Sequence, residues 1–293
     1  MREMDANTIT PEVQDAWRGA PTPRMRRLLE RLVAHVHDYA REVELTPEEW
    51  LGTLQFLSGC ARITDENRNE FALLSDVFGL TSLVDLLNLS PGATTSSVLG
   101  PFYVEGSPPL PLGGDLAKDN PGEVVLVSGR VTDTRGQPLR GASIDMWQAD
   151  INGFYGTQDP AQSDENLRCR QDCDDEGRYW FTTVLPAPYS IPMDGPVGSL
   201  FRTTERSNWR PGHYHFIVRA PEFRSLVTEI FFSHDRYVEI DAVFGVRPEL
   251  VVDVKPVAPG SALPKPLERA PAKRVDFDFA LAPLRDAAAS QNG

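Results

Sequence analysis

The sequence lacks the long apolar runs that would place it in a membrane. Its 293 residues contain no stretch of about 18 apolar residues, the length that a membrane-spanning helix needs. The first residues, MREMDANTIT, have no apolar core of a signal peptide. Long basic runs are also missing, and a formal net charge of −13 with a pI near 4.9 argues against a nucleic-acid partner. We therefore expect a cytoplasmic protein whose partner is a small molecule.

Cysteine is also scarce. The chain has three cysteines, Cys60, Cys169 and Cys173, which is an odd number and matches no common zinc-ligand spacing. We assign them no role. The hydrophobic fraction of 41% is nevertheless large enough for one large packed domain or two modest ones.

The first hundred residues carry the pattern of helices. Apolar residues between Met25 and Val43 recur at helical spacing and describe one apolar face. A second helix is predicted at TPEEW, where Thr46 and Glu49 can form a capping box. Two more are predicted in ENRNEFALLSDVF and LTSLVDLLNL. We interpret residues 1–100 as a helical linker domain.

Residues 101–293 change to a β pattern. The segments EVVLVSGRVTD, RYWFTTVLP, HYHFIVRA and LVTEIFF are rich in β-branched and aromatic residues and alternate with Gly, Pro and Asp turns. This pattern is typical of a β-sandwich. VDFDFAL alternates strictly and is predicted to form one last strand. The fold class is therefore α+β, a helical linker domain followed by a mixed β-sandwich catalytic domain.

A histidine pair in RPGHYHFIVRA is the first candidate for a functional site. Side chains two positions apart in a strand point to the same face, so His213 and His215 could bind one ion. Two hydrogen-bonded structural histidines would fit the pair equally well. A metal site therefore needs further ligands.

Two kinds of further ligand are available in the sequence. Glu229, in LVTEIFF, would complete the two-histidine, one-carboxylate site of ferrous oxygenases. Tyr155 in DINGFYGTQ and Tyr189 in LPAPYSIP lie beside Gly or Pro turns. A tyrosine ionises at neutral pH only beside a strong Lewis acid such as Fe(III). Composition and spacing alone leave both alternatives open.

The ordered segments LGPFYVEGSP, DMWQADINGFYG, DDEGRYWFTTVLPAPYSIPMDGPVG and WRPGHYHFIVRAP resemble the intradiol ring-cleavage dioxygenases, the catechol 1,2-dioxygenase family. The resemblance covers about residues 30 to 280. It implies that a non-haem Fe(III) is bound by Tyr155, Tyr189, His213 and His215. It also implies that an ortho-diphenol binds the iron and reacts with O2, and that Tyr189 is the tyrosine that leaves the metal.

The same resemblance suggests a quaternary structure. In this family two subunits pair through the N-terminal helices, and some relatives hold a lipid at that interface. The apolar stripe between Met25 and Val43 is compatible with such a contact. We therefore expect a homodimer through the N-terminal helices, with a lipid as a further expectation.

Two polar residues are expected to act on the substrate. Arg210, three residues before His213, matches the family arginine that stabilises negative charge on the substrate ring. Glu229 departs from the family, which usually has glutamine at this position. Its carboxylate could pair with Arg210 or accept a hydrogen bond from an additional substrate hydroxyl.

The substrate is expected to be hydroxyquinol (benzene-1,2,4-triol), because SIPMDGPVG and DAVFGVR look most like the subgroup that acts on it. Its product would be 3-hydroxy-cis,cis-muconate, the tautomer of maleylacetate. Chlorocatechol and catechol are the alternative substrates. Ala242 replaces a bulky aromatic residue of the catechol enzymes and leaves room for a ring substituent. The other pocket residues that the resemblance implies are Leu80, Leu83, Val98, Pro101, Phe102 and Tyr103.

Two other functions are compatible with parts of the sequence. VSGRVTDTRGQPLRGASIDMW also resembles transthyretin-like β-sandwiches, which would make the chain a non-catalytic binding module. That interpretation explains the strands but not the four candidate ligands. A ferrous oxygenase with His213, His215 and Glu229 is the second rival, and it would show no phenolate-to-iron absorption band.

Overall fold

The computed structural model describes residues 4–65 and 68–284. The chain divides into two compact units, Met1–Gly59 and Cys60–Gly293, and the boundary falls within the third helix. The predicted boundary at residue 100 stays a proposal, and the outer ends of the two predicted regions, 1–3 and 285–293, lie outside the described residues. No helix in the described part of the chain is long and apolar enough to span a bilayer.

The predicted N-terminal helices are present. The described residues contain α1 (Ile9–Ala16), α2 (Pro23–Glu42), α3 (Pro47–Ile63), α4 (Glu70–Val77), α5 (Leu80–Leu87) and α6 (Pro196–Thr204). The predicted capping box before α3 is confirmed, because the Thr46 amide donates to Glu49 Oε2 at 2.9 Å and the Glu49 amide donates to Thr46 Oγ1 at 3.3 Å. The start of the next predicted helix, residues 66–67, lies outside the described residues.

Among the described residues of the second unit, the strands form two five-stranded sheets and one two-stranded ribbon. The strands are β1 (Val124–Asp133), β2 (Ser143–Gln148), β3 (Arg168–Asp172), β4 (Arg178–Val184), β5 (Tyr189–Ser190), β6 (Trp209–Arg210), β7 (His213–Arg219), β8 (Leu226–Phe232), β9 (Val251–Val252), β10 (Lys255–Pro256), β11 (Lys273–Asp276) and β12 (Phe279–Leu281). One sheet has the order β10-β11-β1-β12 with β4 also paired to β1, and the other has the order β3-β2-β7-β8-β9. The ribbon pairs β5 with β6.

The inner faces of the two sheets share one core. Val127 of β1 and Phe181 of β4 belong to the same buried cluster as Met146 of β2 and Phe216 of β7. Each such side chain stabilises the fold by about 1.5–3 kcal/mol when it leaves water. The prediction of a helical linker domain followed by a β-sandwich is therefore confirmed.

One strand prediction was wrong. VDFDFAL forms two short strands, β11 and β12, which pair with consecutive parts of β1. The chain leaves the strand at Phe277, whose carbonyl accepts a hydrogen bond from Tyr179 Oη at 2.7 Å. That carbonyl lies so close to Gly129 that a Cβ there would overlap it. Between the two strands, the Asp278 side chain rather than a backbone carbonyl accepts a hydrogen bond from the Arg130 amide of β1, at 2.8 Å.

Candidate metal centre

The two histidines of β7 lie in the middle of the second sheet and face the same way. His215 is directly opposite Trp147 on β2 and opposite Glu229 on β8. Both histidines are 1% exposed. The two histidine side chains therefore lie on one face of the strand, as the two-residue period predicts, and both are shielded from bulk water.

Hydrogen bonding fixes which nitrogen of His213 carries the proton, although Arg210 Nη1 lies 3.2 Å from the other nitrogen, Nε2. Its Nδ1 lies 2.7 Å from the Pro211 carbonyl oxygen. Because a carbonyl only accepts hydrogen bonds, Nδ1 carries the proton and Nε2 presents a lone pair. Burial and the neighbouring Arg210 lower the pKa of His213 to about 3. Burial, then His213, lowers the pKa of His215 well below its ordinary value, so both rings are neutral near pH 7 and can bind a metal.

Tyr155 is presented by a tightly built loop that follows β2. The Asp150 carboxylate accepts hydrogen bonds from the amides of Asn152 and Phe154 at 2.8 and 2.9 Å. Between them, Gly153 has a φ of +87°, and a Cβ there would lie 2.9 Å from Tyr189 Cβ. Only glycine therefore lets this loop pack directly against the second tyrosine.

Replacing Gly153 with alanine should separate the two tyrosines and weaken metal binding at this site by about tenfold or more, an effect typical of a lost metal-positioning contact. Gly136 is the matched control, because it also has a positive φ, +79°, but a Cβ there meets nothing within 4 Å. Gly136→Ala should lower only the free energy of unfolding, by about 1 kcal/mol. Metal content and urea unfolding of both variants check the prediction, and equal metal content would refute it.

Tyr189 reaches the site from the two-stranded ribbon, where it pairs with Arg210 of β6. Its ring lies edge-on to that of Tyr155, with centroids 5.7 Å apart, and 5.6 Å from the ring of His213. Burial raises the pKa of both tyrosines, and most strongly that of Tyr155. Their phenolate forms therefore require a strong positive charge beside them.

The four side chains form one cluster, the tyrosine–histidine cluster, made of Tyr155, Tyr189, His213 and His215. The Nε2 atoms of the histidines are 3.0 Å apart, and Tyr155 Oη lies 3.0 Å from His215 Nε2 and 3.4 Å from His213 Nε2. Ligands bound at about 2.0–2.1 Å to one metal lie roughly 3 Å from one another. The donor atoms of Tyr155, His213 and His215 therefore have the spacing of a metal's ligands, and the ring of Tyr189 packs against those of Tyr155 and His213.

Glu229 is the other possible donor, because one of its oxygens lies near both histidines. Both of its oxygens already accept hydrogen bonds from Arg210, at 2.8 and 3.1 Å, and Oε2 also accepts from Ser97 Oγ at 2.6 Å. Moreover, Glu229 approaches His215 at Nδ1, at 3.5 Å, whereas Tyr155 approaches Nε2. Tyr155 Oη and Glu229 Oε1 both lie 3.4 Å from His213 Nε2, but only Tyr155 Oη also lies close to His215 Nε2, so Tyr155 is the better placed donor for a metal held by the two Nε2 atoms.

A second cluster, the arginine clamp, consists of Arg210, Glu229 and Asp241. Arg210 donates to Asp241 through Nε at 2.9 Å and to both carboxylates through Nη2. Burial alone would lower the pKa of this guanidinium, but Asp241 and Glu229 outweigh it and raise the pKa. Gly245 packs against the clamp, since a Cβ there would lie 2.7 Å from Glu229 Oε2.

A small, largely enclosed cavity of about 10 Å³ lies beside the two clusters, so a substrate could enter only if side chains around it moved. Its walls include Tyr189 and Arg210, together with the predicted pocket residues Pro101 and Phe102. The remaining lining residues are Leu73, Asp76, Gly100, Ile191, Pro192 and Val243.

Asp76 is the titratable lining residue that the sequence analysis missed. It lies on α4, is 5% exposed and accepts a hydrogen bond from Thr81 Oγ1 at 2.6 Å. Burial raises its pKa to about 6. The sequence carried one signal for this residue: in EFALLSDV, an aspartate interrupts a run of mostly apolar residues that otherwise suits burial.

The remaining predicted pocket residues are not part of the cavity lining, and they differ in burial. Phe102 stacks on Tyr155 with ring centroids 4.5 Å apart, and Tyr103 contacts Trp147. Val98 and Ala242 are each 1% exposed. Leu80 and Leu83 are about half exposed, at 54% and 51%. Their contact with a substrate stays a prediction.

Comparison with known proteins gives one consistent result. The family described as "Dioxygenase" matches residues 98–283, and that described as "Catechol dioxygenase N terminus" matches residues 22–94. The chain is 40% identical over 289 residues to the 6-chlorohydroxyquinol 1,2-dioxygenase of Cupriavidus pinatubonensis, covering 97% of this chain and 99% of the relative. It is 41% identical over 260 residues to the hydroxyquinol 1,2-dioxygenase of a Rhizobium species, covering 88% and 87%. The crystal structure of hydroxyquinol 1,2-dioxygenase from Pseudomonas putida DLL-E4 superposes with a TM-score of 0.84 at 39% identity, covering 95% of this chain and 99% of that chain.

Proposed function

The chain belongs to the intradiol ring-cleavage dioxygenases, and from this premise we propose that it opens hydroxyquinol with O2 to give 3-hydroxy-cis,cis-muconate, the tautomer of maleylacetate. Two similar proteins are named for hydroxyquinol or its 6-chloro derivative. The observation that carries the choice is Asp76, a buried carboxyl in the cavity wall that also contains Arg210. Such a group suits a substrate with one hydroxyl more than catechol has.

Membership of this family implies a bound metal, and we propose Fe(III) held by Tyr155, Tyr189, His213 and His215. Two phenolates and two neutral imidazoles reduce the charge of a ferric ion from 3+ to 1+, which disfavours its reduction and leaves it able to attract a diphenolate. When bound, the ion supplies the Lewis acidity that ionises the tyrosines and the diphenol. The neutral histidines and the close donor spacing support this ligand set.

Tyr189 and Arg210 are proposed to have separate roles toward the substrate. Tyr189 lines the cavity, whereas Tyr155 lies behind it and is 1% exposed. Tyr189 Oη is therefore the phenol placed to take up a proton from an entering diphenol. Arg210, fixed by two carboxylates, holds a positive charge at the cavity wall where negative charge develops on the ring.

Asp76 is proposed to accept the hydrogen bond of the third hydroxyl. Glu229 was the other candidate for this role, but its oxygens are already occupied by Arg210 and Ser97. Asp76 has one side-chain partner, Thr81, and lines the cavity. Of the two carboxylates, Asp76 is therefore the one with an oxygen available to the substrate.

Replacing Asp76 with asparagine should lower kcat/KM for hydroxyquinol about tenfold relative to catechol, because a charged acceptor makes the stronger hydrogen bond. The same change should raise the free energy of unfolding at pH 7 by about 1–3 kcal/mol, because the folded-state pKa of about 6 exceeds the unfolded value. A raised pKa means that the ionised form destabilises the fold. The stability gain should therefore be absent below about pH 4 and complete above pH 6 to 7.

Asp85→Asn is the matched control for substrate preference, because that carboxyl also has a raised pKa but lies outside the cavity lining. Its ratio of hydroxyquinol to catechol turnover should equal that of the wild type. An unchanged ratio in Asp76→Asn would remove Asp76 from substrate recognition.

The iron assignment is tested on the purified protein by iron content and visible absorption. A stoichiometric ferric ion with a strong phenolate-to-iron band is the expected result. An iron-containing protein without the band would favour the ferrous site with Glu229. A colourless, iron-free protein from iron-replete cells would favour the binding-module alternative.

We also propose a homodimer through the N-terminal helices. The apolar face of α2 is exposed in the single chain, with Leu28, Leu32 and Val36 exposed by 52%, 60% and 49%. Exposed apolar stripes of this length commonly mark an interface. Mass measurement in solution should give a dimer for the wild type and for Arg27→Glu, and a shift toward monomer for Leu32→Glu. A monomeric wild type at micromolar concentration would contradict the proposal.

The lipid at this interface and the cytoplasmic location stay proposals. Mass spectrometry of organic extracts from the purified dimer tests the first. Fractionation of the source cells tests the second.

A further inference from the structure

Arg168 of β3 is a buried cation that the proposed chemistry does not use. It is 2% exposed. Among the described residues its nitrogens form no ion pair: Nη1 and Nη2 reach the Phe102 carbonyl oxygen only at 3.4 and 3.5 Å, and Nε has no hydrogen-bond partner. A buried guanidinium without an anion is strongly unfavourable, so a negative charge is expected nearby in the working protein.

The surroundings of Arg168 lead directly to the metal centre. The residue opposite it on β2 is Trp147, which stacks on His215 with ring centroids 4.7 Å apart and an interplanar angle of 3°. Phe102, whose carbonyl it contacts, stacks on Tyr155 at 4.5 Å. Arg168 is thus linked to two aromatic rings that cover proposed ligands.

The electrostatic partners of Arg168 point the same way. Burial lowers the pKa of its guanidinium, and the group that opposes this most is Tyr155, ahead of the exposed Asp164 and Glu165. Carboxylates exposed to solvent are screened by water and compensate a buried charge poorly. A phenolate at Tyr155 would be buried, since this residue is 1% exposed, and its ring packs on Phe102, whose carbonyl Arg168 contacts.

We propose that Arg168 is the counter-charge of the Tyr155 phenolate, a positioning residue that acts on the metal through this ligand. The inference rests on the proposed function, because Tyr155 is ionised only as a ligand. It assigns Arg168 to the outer sphere of hydrogen bonds and charges that tunes a metal site. In the metal-free state the guanidinium lacks its anion, so metal binding and burial of this cation support each other.

Two effects follow for the iron-loaded protein. A cation beside the phenolate stabilises its electrons, so the phenolate-to-iron band lies at shorter wavelength than it would without Arg168. Removing an outer partner of a metal ligand typically costs about tenfold to a hundredfold in metal affinity, so loss of Arg168 should weaken iron binding within that range.

The experiment compares three variants of the full-length holoenzyme. Arg168→Gln keeps donors for the Phe102 carbonyl but removes the charge, Arg168→Met removes both, and Arg168→Lys keeps the charge. Arg170→Gln is the control on the same strand, because its side chain is exposed and pairs with Asp172. The measured quantities are the absorption maximum per bound iron and the rate of iron loss to a chelator.

The expected result is a band at longer wavelength and faster iron loss in the Gln and Met variants, with Lys and the Arg170→Gln control close to the wild type. A band at the wild-type wavelength in all soluble variants, whatever their stability, would overturn the inference. The Gln variant keeps the test decisive if the Met variant does not fold. If the wild type itself binds no iron or shows no band, the proposed function fails first, and the two failures are thereby distinguished.

Discussion

Iron affinity is expected to fall roughly a hundredfold or more when Tyr155 is replaced with phenylalanine, since losing a ligand should exceed the effect of losing an outer contact. Phenylalanine keeps the ring that packs under Phe102 and removes only the donor oxygen. That oxygen lies 3.0 Å from His215 Nε2 and 3.4 Å from His213 Nε2, so the variant loses a donor atom that is close to both histidines. Turnover should fall with the iron.

Glu229→Gln is the matched comparison, because it removes the charge of the rival ligand at nearly constant shape. The variant should retain its iron, since Glu229 is held by Arg210 and Ser97. Its substrate preference should change more than its iron content, because Arg210 loses one of its two carboxylates. Iron retained in Tyr155→Phe and lost in Glu229→Gln would establish the carboxylate site instead.

Replacing Arg210 with methionine should lower the free energy of unfolding by about 3–5 kcal/mol at pH 7, because it leaves buried carboxylates without their cation. Glu229 is fully buried, and Asp241 is 8% exposed. Turnover should also fall sharply, because the positive charge at the cavity wall is lost. Arg178→Met is the control, since Arg178 is half exposed and its pair with Asp174 should contribute less than about 1 kcal/mol.

The pH dependence of this loss has a definite sign. Burial alone would raise the pKa of Asp241, but Arg210 outweighs it and lowers the pKa. In the wild type, this carboxylate therefore contributes stability that is present above about pH 4, its unfolded pKa, and is lost as the pH falls further. Without Arg210, burial should raise the pKa of Asp241, so its ionised form destabilises the variant at pH 7. Protonation at lower pH relieves this, and the difference in free energy of unfolding between wild type and Arg210→Met should therefore shrink as the pH is lowered from 7 to 4.

A triple variant separates the two roles of Arg210. Arg210→Met combined with Asp241→Asn and Glu229→Gln removes the cation together with both carboxylates, so much of the lost stability should return. Turnover should not return, because the charge at the cavity wall is still missing. Recovery of turnover together with stability would show that Arg210 has only a structural role.

Local sequence pattern accounts for much of what was predicted. The two-residue period of a strand placed His213 and His215 on one face, and the TPEEW segment specified its capping box because both partners lie within one helical turn. The split of VDFDFAL could not be predicted in this way. It depends on Gly129 and Tyr179, which lie far from it in sequence and meet the Phe277 carbonyl only in the folded sheet.

The site shows the same division. Resemblance supplied Tyr155, Tyr189 and Arg210, but the residues that hold or tune them are spread over the chain. Ser97 and Asp241 meet at the arginine clamp from segments more than a hundred residues apart. Local spacing carries no signal for such contacts, and charge in an apolar setting, as at Asp76, is the feature that could have identified one of them.

Oxygen uptake by the purified protein with hydroxyquinol, catechol and 3-chlorocatechol side by side is the most direct test of the proposed function. Enzyme-free controls must be subtracted because the triol oxidises spontaneously, and the product must be identified. We expect hydroxyquinol to be consumed fastest, with one O2 taken up for each ring-opened muconate formed. Faster turnover of catechol or chlorocatechol would contradict the substrate assignment, and no uptake with any of the three would contradict the dioxygenase activity itself.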